Sequence, residues 1–416
     1  MPNKSLFGIA VVAVLLLAAG CSKSEPSERS DGSGAPPAAP ASSAPEQADP
    51  HIVGYLSEWG VYSRDYQVKQ IETSGAADRL TDLVYAFGKV SNGKCAVADS
   101  WADYERPITA DESVDGEADA SDQELKGSFN QLLKLKEKQP DLKILWSFGG
   151  WSGSSGFGEA AEDPTTFAES CKELVQNEKW DGLFDGIDID WEYPNACGET
   201  CDTSGEDALT KLTSALRTAF GDDALVTAAI TANAADDGVM DQADYATAAD
   251  SLDWVMTMSY DYYGASTTGP TAPHSALEPY DGIPKSGTTL TETIDKLTGL
   301  GVPADKILMG VGFYGRGWKG VTQSDPGGDA TGLADGSYQK GFKNYNELVT
   351  ECPETGTVGG QAYGYCDGEW WSYDTPTTIA AKVAWAKGKG LGGAFAWELS
   401  GDTTDGALVE ALSSGW

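Results

Sequence analysis

From His51 onward, eight short runs rich in Val, Ile, Leu and aromatic residues alternate with longer polar stretches of helical spacing. The runs are His51 to Ser57, Asp82 to Phe87, Lys143 to Phe148, Gly186 to Trp191, Leu225 to Ala232, Trp254 to Ser259, Lys306 to Gly312 and Gly393 to Trp397. Such alternation predicts strand–helix units around a parallel sheet. The stretch Glu124 to Lys138 shows the helical half of the pattern, with Leu125, Phe129, Leu132, Leu133 and Leu135 largely on one face. Eight units predict an α/β fold, a closed (β/α)8 TIM barrel. A doubly wound open sheet is the competing architecture, but no glycine-rich phosphate loop follows the first run.

The interval between the seventh and eighth runs is too long for one helix. Its middle, about residues 319–372, is rich in Gly, Tyr and Trp and has little helical periodicity. We read it as an inserted α+β subdomain, a small antiparallel sheet with a helix, pinned by Cys352 and Cys366 and edged by Gly317-Trp318 and Tyr373-Asp374. Insertions at the carboxyl ends of barrel strands stand over the active site, so this one predicts a cleft wall.

The first 50 residues follow a different pattern. A lone Lys4, an apolar run from Leu6 to Ala19 and then Gly20-Cys21 form a segment too short to span a membrane and shaped like an export signal. Leu17-Ala-Ala-Gly-Cys21 resembles a bacterial lipoprotein cleavage box, which makes Cys21 the expected lipidated residue, although Ala18 stands where such boxes more often carry Leu. Residues 22–50 are Ser, Pro, Ala, Gly and charge, the composition of a tether. The expected organisation is a signal peptide over 1–20, a lipid-bearing linker over 21–50 and a catalytic barrel over 51–416. The protein is expected in the cell envelope facing outward, or secreted, with Cys21 as its only link to a membrane.

Export changes the reading of the cysteines. Cys95, Cys171, Cys197, Cys201, Cys352 and Cys366 remain, an even number that favours disulfides. Six cysteines allow 15 pairings; proximity along the chain suggests Cys197 with Cys201 and Cys352 with Cys366, leaving Cys95 for Cys171. Zinc is disfavoured, because the chain has only His51 and His274 and no second close cysteine pair near Cys197 and Cys201. Against 28 Lys and Arg stand 64 Asp and Glu, a formal charge of −36. That excess repels nucleic acid and anionic membrane surfaces and suits neutral or cationic substrates. An acidic surface also serves solubility, and charge alone does not separate the two.

The candidate chemistry sits on the fourth run, Asp185-Gly-Ile-Asp188-Ile-Asp190-Trp-Glu192-Tyr193-Pro194. Strand side chains alternate faces, so Asp188, Asp190 and Glu192 point one way while Ile187, Ile189 and Trp191 point the other. Inside a barrel this is a ladder of carboxyl groups about 7 Å apart, and like charges that close raise one another's pKa. Glu192, outermost at the carboxyl end, is then the expected proton donor, with Asp190 as its coupled partner. Asp185 has the wrong parity and reads as structural. A solvated acidic face is a poor alternative, since it would not be bracketed by Ile, Ile and Trp.

These residues resemble glycoside hydrolase family 18 chitinases over about His51 to Trp416. The fourth run matches that family's DGxDxDWEYP motif without a gap. Ser147-Phe-Gly149-Gly150 matches SxGG, and Met258-Ser-Tyr260-Asp261 matches MxYD. Gly310-Val-Gly-Phe313-Tyr314-Gly-Arg316-Gly-Trp318 is similar to GxPFYGRxW, with Gly312 where Pro is common, and Gly392 to Leu399 corresponds to the eighth strand.

The resemblance implies substrate-assisted retaining hydrolysis of chitin or N-acetylglucosamine oligosaccharides, an exception to the two-carboxylate scheme, with no cofactor or metal. Glu192 would be general acid and base. Asp190 would hold the acetamido nitrogen, Asp188 would share Asp190's proton, and Tyr260 would bind the acetamido oxygen. Trp397 would floor the central sugar site and Trp151 a neighbouring one. Tyr55, Phe87, Tyr193, Met258, Asp261, Tyr314 and Arg316 complete the expected substrate-binding set, with Arg316 meeting either Asp261 or a sugar hydroxyl. Tyr55 and Tyr85 also have a core-packing reading. A monomer is expected. The rivals are a sugar-binding lectin, which Glu192 argues against, an endo-N-acetylglucosaminidase on glycans or peptidoglycan, and a Ser-His-acid hydrolase, for which two histidines and no GxSxG elbow are poor material.

Overall fold

The computed structural model describes residues 49–264 and 269–416, so the expected signal segment, Cys21 and nearly all of the linker lie outside the described residues. Eight parallel strands close on themselves: His51–Ser57, Asp82–Ser91, Lys143–Gly149, Gly186–Asp190, Leu225–Thr231, Val255–Met258, Ile307–Gly312 and Gly393–Trp397. Neighbours in the chain are neighbours in the sheet, and the ring closes where His51 pairs with Gly393. Helices such as Gly127–Lys138, Ala208–Phe220 and Pro376–Lys389 lie between them in the chain. The fold is the expected α/β barrel.

Alternation along the strands separates two cores. Val53, Tyr55, Val84, Leu145, Met256 and Phe395 fill the barrel interior, while Ile52, Leu83, Tyr85, Trp146, Ile187 and Ile189 face the helices. The expected helix over Glu124 to Lys138 begins only at Gly127, whose φ of 61° turns the chain into the helix while its N–H donates to Arg106. A β-carbon there would lie 2.7 Å from two backbone carbonyls, so glycine fixes the entry point. The second strand runs four residues past its expected end and hairpins with Lys94–Ala96.

Between the seventh and eighth barrel strands the chain forms a separate six-stranded sheet, Tyr314–Lys319, Gly332–Leu333, Phe342–Asn344, Glu354–Val358, Gln361–Cys366 and Glu369–Tyr373, with antiparallel pairings. It carries the helix Tyr345–Glu351. Its first strand starts at Tyr314, separated from the seventh barrel strand by one residue, and contains Arg316. Disulfides join Cys95 to Cys171, Cys197 to Cys201 and Cys352 to Cys366. Among the described residues no helix is long and apolar enough to cross a membrane, and no cluster of His, Cys, Asp and Glu could hold a metal ion.

Candidate active site

At the carboxyl ends of the strands lies a cavity of about 1110 Å³. The fourth strand reaches it with one face of acids and one of isoleucines. Ile187 and Ile189 are fully buried against the helices, each stabilising the fold by roughly 1.5–3 kcal/mol. That anchorage helps offset the cost of placing Asp188 and Asp190, 0% and 5% exposed, on the other face.

Register decides how each acid is met. Asp188 sits between Ser147 on the third strand and Thr227 on the fifth, and both hydroxyls donate to it, at 2.6 and 2.7 Å. Tyr55 reaches in from the first strand and donates its phenol proton at 2.8 Å. Burial raises the Asp188 pKa and these donors pull it back. The sequence expectation made Asp188 the sharer of Asp190's proton; the structure adds hydroxyl donors from three other strands that hold Asp188 in place. Asp190 has no such escort. Its Oδ1 is buried with no hydrogen-bond partner, and burial, then the charges of Glu192 and Asp188, push its pKa well above the carboxylate range.

Glu192 lies two residues beyond the end of the strand, on the cavity wall. Its backbone is fixed by Ser154, whose hydroxyl accepts from the Glu192 N–H at 2.9 Å and lies 2.8 Å from the Gly150 carbonyl. Gly149 and Gly150, with φ of 116° and 77°, let the third strand curl beneath the acids, so that the Gly150 N–H donates to the Asp190 carbonyl at 2.8 Å. A β-carbon on Gly149 would meet that carbonyl at 2.1 Å. Burial raises the Glu192 pKa to about 7, a Tyr193 hydrogen bond opposing and the Asp261 charge adding to the shift. A carboxyl near 7 is protonated often enough to donate a proton and ionised often enough to take one back.

Asp261 is handled in the opposite way. Arg316 grips it with two hydrogen bonds, Nε to Oδ1 at 2.7 Å and Nη2 to Oδ2 at 2.6 Å. Burial alone would raise its pKa, but the guanidinium holds it far below the usual range. Of the two roles expected of Arg316, the ion pair is formed, and the residue also lines the cavity. His274, fully buried, accepts the Asp261 N–H at 3.3 Å through Nδ1. Asp261 needs this support because its φ is 60°.

The expected residues divide by position. Phe87, Trp151, Asp190, Glu192, Tyr193, Met258, Tyr260, Asp261, Arg316 and Trp397 all line the cavity. Tyr55 and Tyr314 do not: they are 1% and 2% exposed, and lie behind the surface. Tyr314 stacks on Phe342 at 4.4 Å in the inserted sheet, and Tyr55 supports Asp188, so the expectation that either meets substrate is corrected. Tyr85 faces the helices in the core, in line with its core-packing reading, its hydroxyl donating to Asp103 at 2.7 Å. Trp191 is core, stacked on Phe157. Asp185 holds the strand entry, accepting from Lys136 and from the Ile144 N–H.

Phe87 enters the cleft by a register shift: Ala86 pairs with Ser147 and Gly88 with Phe148, which leaves Phe87 as the extra residue of a bulge. Its ring lies 5.7 Å from that of Trp397 at an interplanar angle of 20°. Trp151 stands 53% exposed at the rim. The sequence reading missed Ser147 as a partner of Asp188, and Thr227, Ser154, His274 and the cavity-lining Trp59. Trp59 alone had a visible signal, since it follows the carboxyl end of the first strand, where barrel enzymes gather function. Glu58 beside it also lines the cavity, and burial, then the charges of Asp103 and Asp99, push its carboxyl up to about 9.

Residues 51–402 match the model of the family described as glycosyl hydrolases family 18. Chitinase C of Streptomyces lividans is 55% identical over 356 residues, covering 85% of this chain and 58% of that protein. Chitinase 1 of Aphanocladium album is 32% identical over 367 residues, 83% of this chain and 80% of that protein. The chain thus spans a little under three fifths of the Streptomyces relative. Among solved structures, the catalytic domain of psychrophilic chitinase B from Arthrobacter TAD20 superposes with a TM-score of 0.81 at 32% identity, over 88% of this chain and 95% of that one.

Proposed function

The chain belongs to glycosyl hydrolases family 18, and from that premise we propose that it is a chitinase, cleaving β-1,4 bonds between N-acetylglucosamine units with retention at the anomeric carbon. The observation that carries this reading is one arrangement: Glu192 on the cavity wall with its pKa near 7, next to Asp190 with a buried, unpartnered oxygen. An unpartnered acceptor in a protected site is ready for a donor that arrives with substrate, and an acetamido N–H is such a donor. With the acetamido group held there, its own carbonyl attacks the anomeric carbon and Tyr260 binds the carbonyl oxygen. Glu192 protonates the leaving oxygen and then, as a carboxylate, activates water.

Asp190 stabilises the positive charge that develops on the ring formed by the acetamido group. For that it must be ionised at the moment of reaction; passing its proton to Asp188, whose oxygens already face three hydroxyl donors, supplies the route. Trp397, Phe87 and Trp59 offer apolar faces to pyranose rings. The sequence of the first 50 residues supports export with a lipid on Cys21, and residues 319–372 are proposed as the insertion that deepens the cleft. The catalytic unit is proposed to be a monomer that needs no cofactor.

A product-size and anomer time course on chitohexaose tests the reading. Shorter oligosaccharides appearing first as β-anomers are the expected result. Binding of chitohexaose without cleavage would instead make the protein a lectin, and cleavage with inversion would remove the acetamido mechanism.

A further inference from the structure

Arg64 stands outside the carboxylate machinery, yet its guanidinium touches three segments that shape the cleft. It comes from the loop after the first strand, its side chain 13% exposed. Nη1 pairs with the carboxylate of Glu398, the residue directly after Trp397. Ser400 joins the same node, its hydroxyl accepting from Arg64 at 3.3 Å and donating to Glu398 Oε1 at 2.9 Å. Two rings flank the guanidinium, with centroids 4.5 Å away for Tyr338 and 5.6 Å for Trp59. Tyr338 belongs to the inserted segment and directly precedes Gln339 and Lys340, which line the cleft. Trp59 lines the cleft too, its ring 6.3 Å from that of Trp397.

Glu398 is 3% exposed, and its Oε2 has no hydrogen-bond partner, so a charge there depends on Arg64 and Ser400. The arginine in turn is planar, and a guanidinium is the cation that can pair with a carboxylate in its plane and lie against rings on its faces. Loss of that group would free Trp59 and Tyr338 from a common contact and strand a buried acid beside Trp397.

We propose that Arg64 is a positioning residue for the sugar-binding floor: pairing with Glu398 and lying between Trp59 and Tyr338, it fixes Trp397 and Trp59 in the orientation that receives pyranose rings. The proposal rests on the chitooligosaccharide reading of the cleft and adds a residue to it. A displaced floor weakens binding in ground and transition states alike and leaves Glu192 as it was, so the signature is in KM and affinity, with kcat and its pH profile preserved.

The test uses the full chain carrying Arg64→Met, Arg64→Lys or the double change Arg64→Met with Glu398→Gln. Steady-state kinetics on chitohexaose are paired with tryptophan fluorescence titration of the same oligosaccharide in a Glu192→Gln background. Arg64→Met is expected to raise KM and the dissociation constant roughly tenfold, with kcat changed by less than about threefold. Arg64→Lys restores part of the affinity, since it keeps charge without the planar contacts. The double variant, with no stranded carboxylate, recovers thermal stability and keeps the raised KM. Variants that lose thermal stability but bind and turn over with wild-type KM overturn the proposal and leave the chitinase reading intact. Wild-type protein that does not bind chitohexaose overturns both.

Discussion

Two sets of acids meet at one cavity and are treated in opposite ways. Asp188, Asp190 and Glu192 stand in a row on and just past one strand with no cation beside them among the described residues, and burial raises all three, with the charges of Glu192 and Asp188 adding to the shift at Asp190. Asp261, a third exposed, has both oxygens in the fork of Arg316 and stays ionised far into acid. The first set stores protons and the second stores charge. The physical difference is the partner: hydroxyls and apolar walls tolerate a neutral carboxyl, whereas a bidentate guanidinium stabilises only the anion. Proton transfer requires the first arrangement, and a fixed negative charge paired with Arg316 requires the second.

The comparison is broken most severely by Glu192→Gln, which keeps shape and removes the titratable proton. Turnover of chitooligosaccharides should fall by about 10²–10⁴-fold while affinity persists, read by steady-state kinetics and a binding titration. Removing the other set's anion, in Asp261→Ala, strands the buried Arg316 guanidinium. The cost in chemical denaturation should be about 2–3 kcal/mol, below that of a fully enclosed pair because 35% of the Asp261 side chain is open. Tyr55→Phe takes one of three hydroxyl donors from the buried Asp188 and should cost about 1–3 kcal/mol in chemical denaturation.

The mildest perturbation is pH alone. As pH rises through about 7 the Glu192 and Asp190 pair loses its proton, so kcat/KM should fall by about tenfold per unit above that point. The stability signs differ as well. Glu192, raised from its ordinary 4.5, contributes stability that is complete below that value and is lost as pH climbs through about 7. Asp261, depressed, contributes stability present above the ordinary aspartate range and lost only as pH falls far below it. Denaturation curves between pH 4 and 8 should therefore lose the Glu192 contribution and keep that of Asp261.

Periodicity located all eight barrel strands to within a few residues, because strands buried on both faces are continuous apolar runs that solvent-exposed loops do not imitate. The exception in extent, Asp82–Ser91, runs on into a hairpin whose Lys, Ser and Asn look like loop. Strand parity likewise separated Asp188 and Asp190 from Asp185, since alternation is a local property. Glu192 escaped that logic in part, as it sits beyond the strand and takes its direction from Ser154, 38 residues earlier in the chain. Ser147, Thr227 and Tyr55 were equally out of reach as partners of Asp188, because a hydroxyl among many has no mark until register sets it beside an acid.

By itself, then, the chain determined the barrel, from spacing repeated along its length, and the face on which the acids stand, and it marked Glu192 as the residue expected to move a proton. Tertiary structure alone decided which acid is neutral and which is charged, that Tyr55 and Tyr314 serve from behind the cavity wall, and that Arg316 spends its fork on Asp261. Those outcomes depend on contacts such as those between residues 39, 55 and 133 positions apart, and electrostatic energy follows such distances and the local exclusion of water, neither of which is written in local sequence.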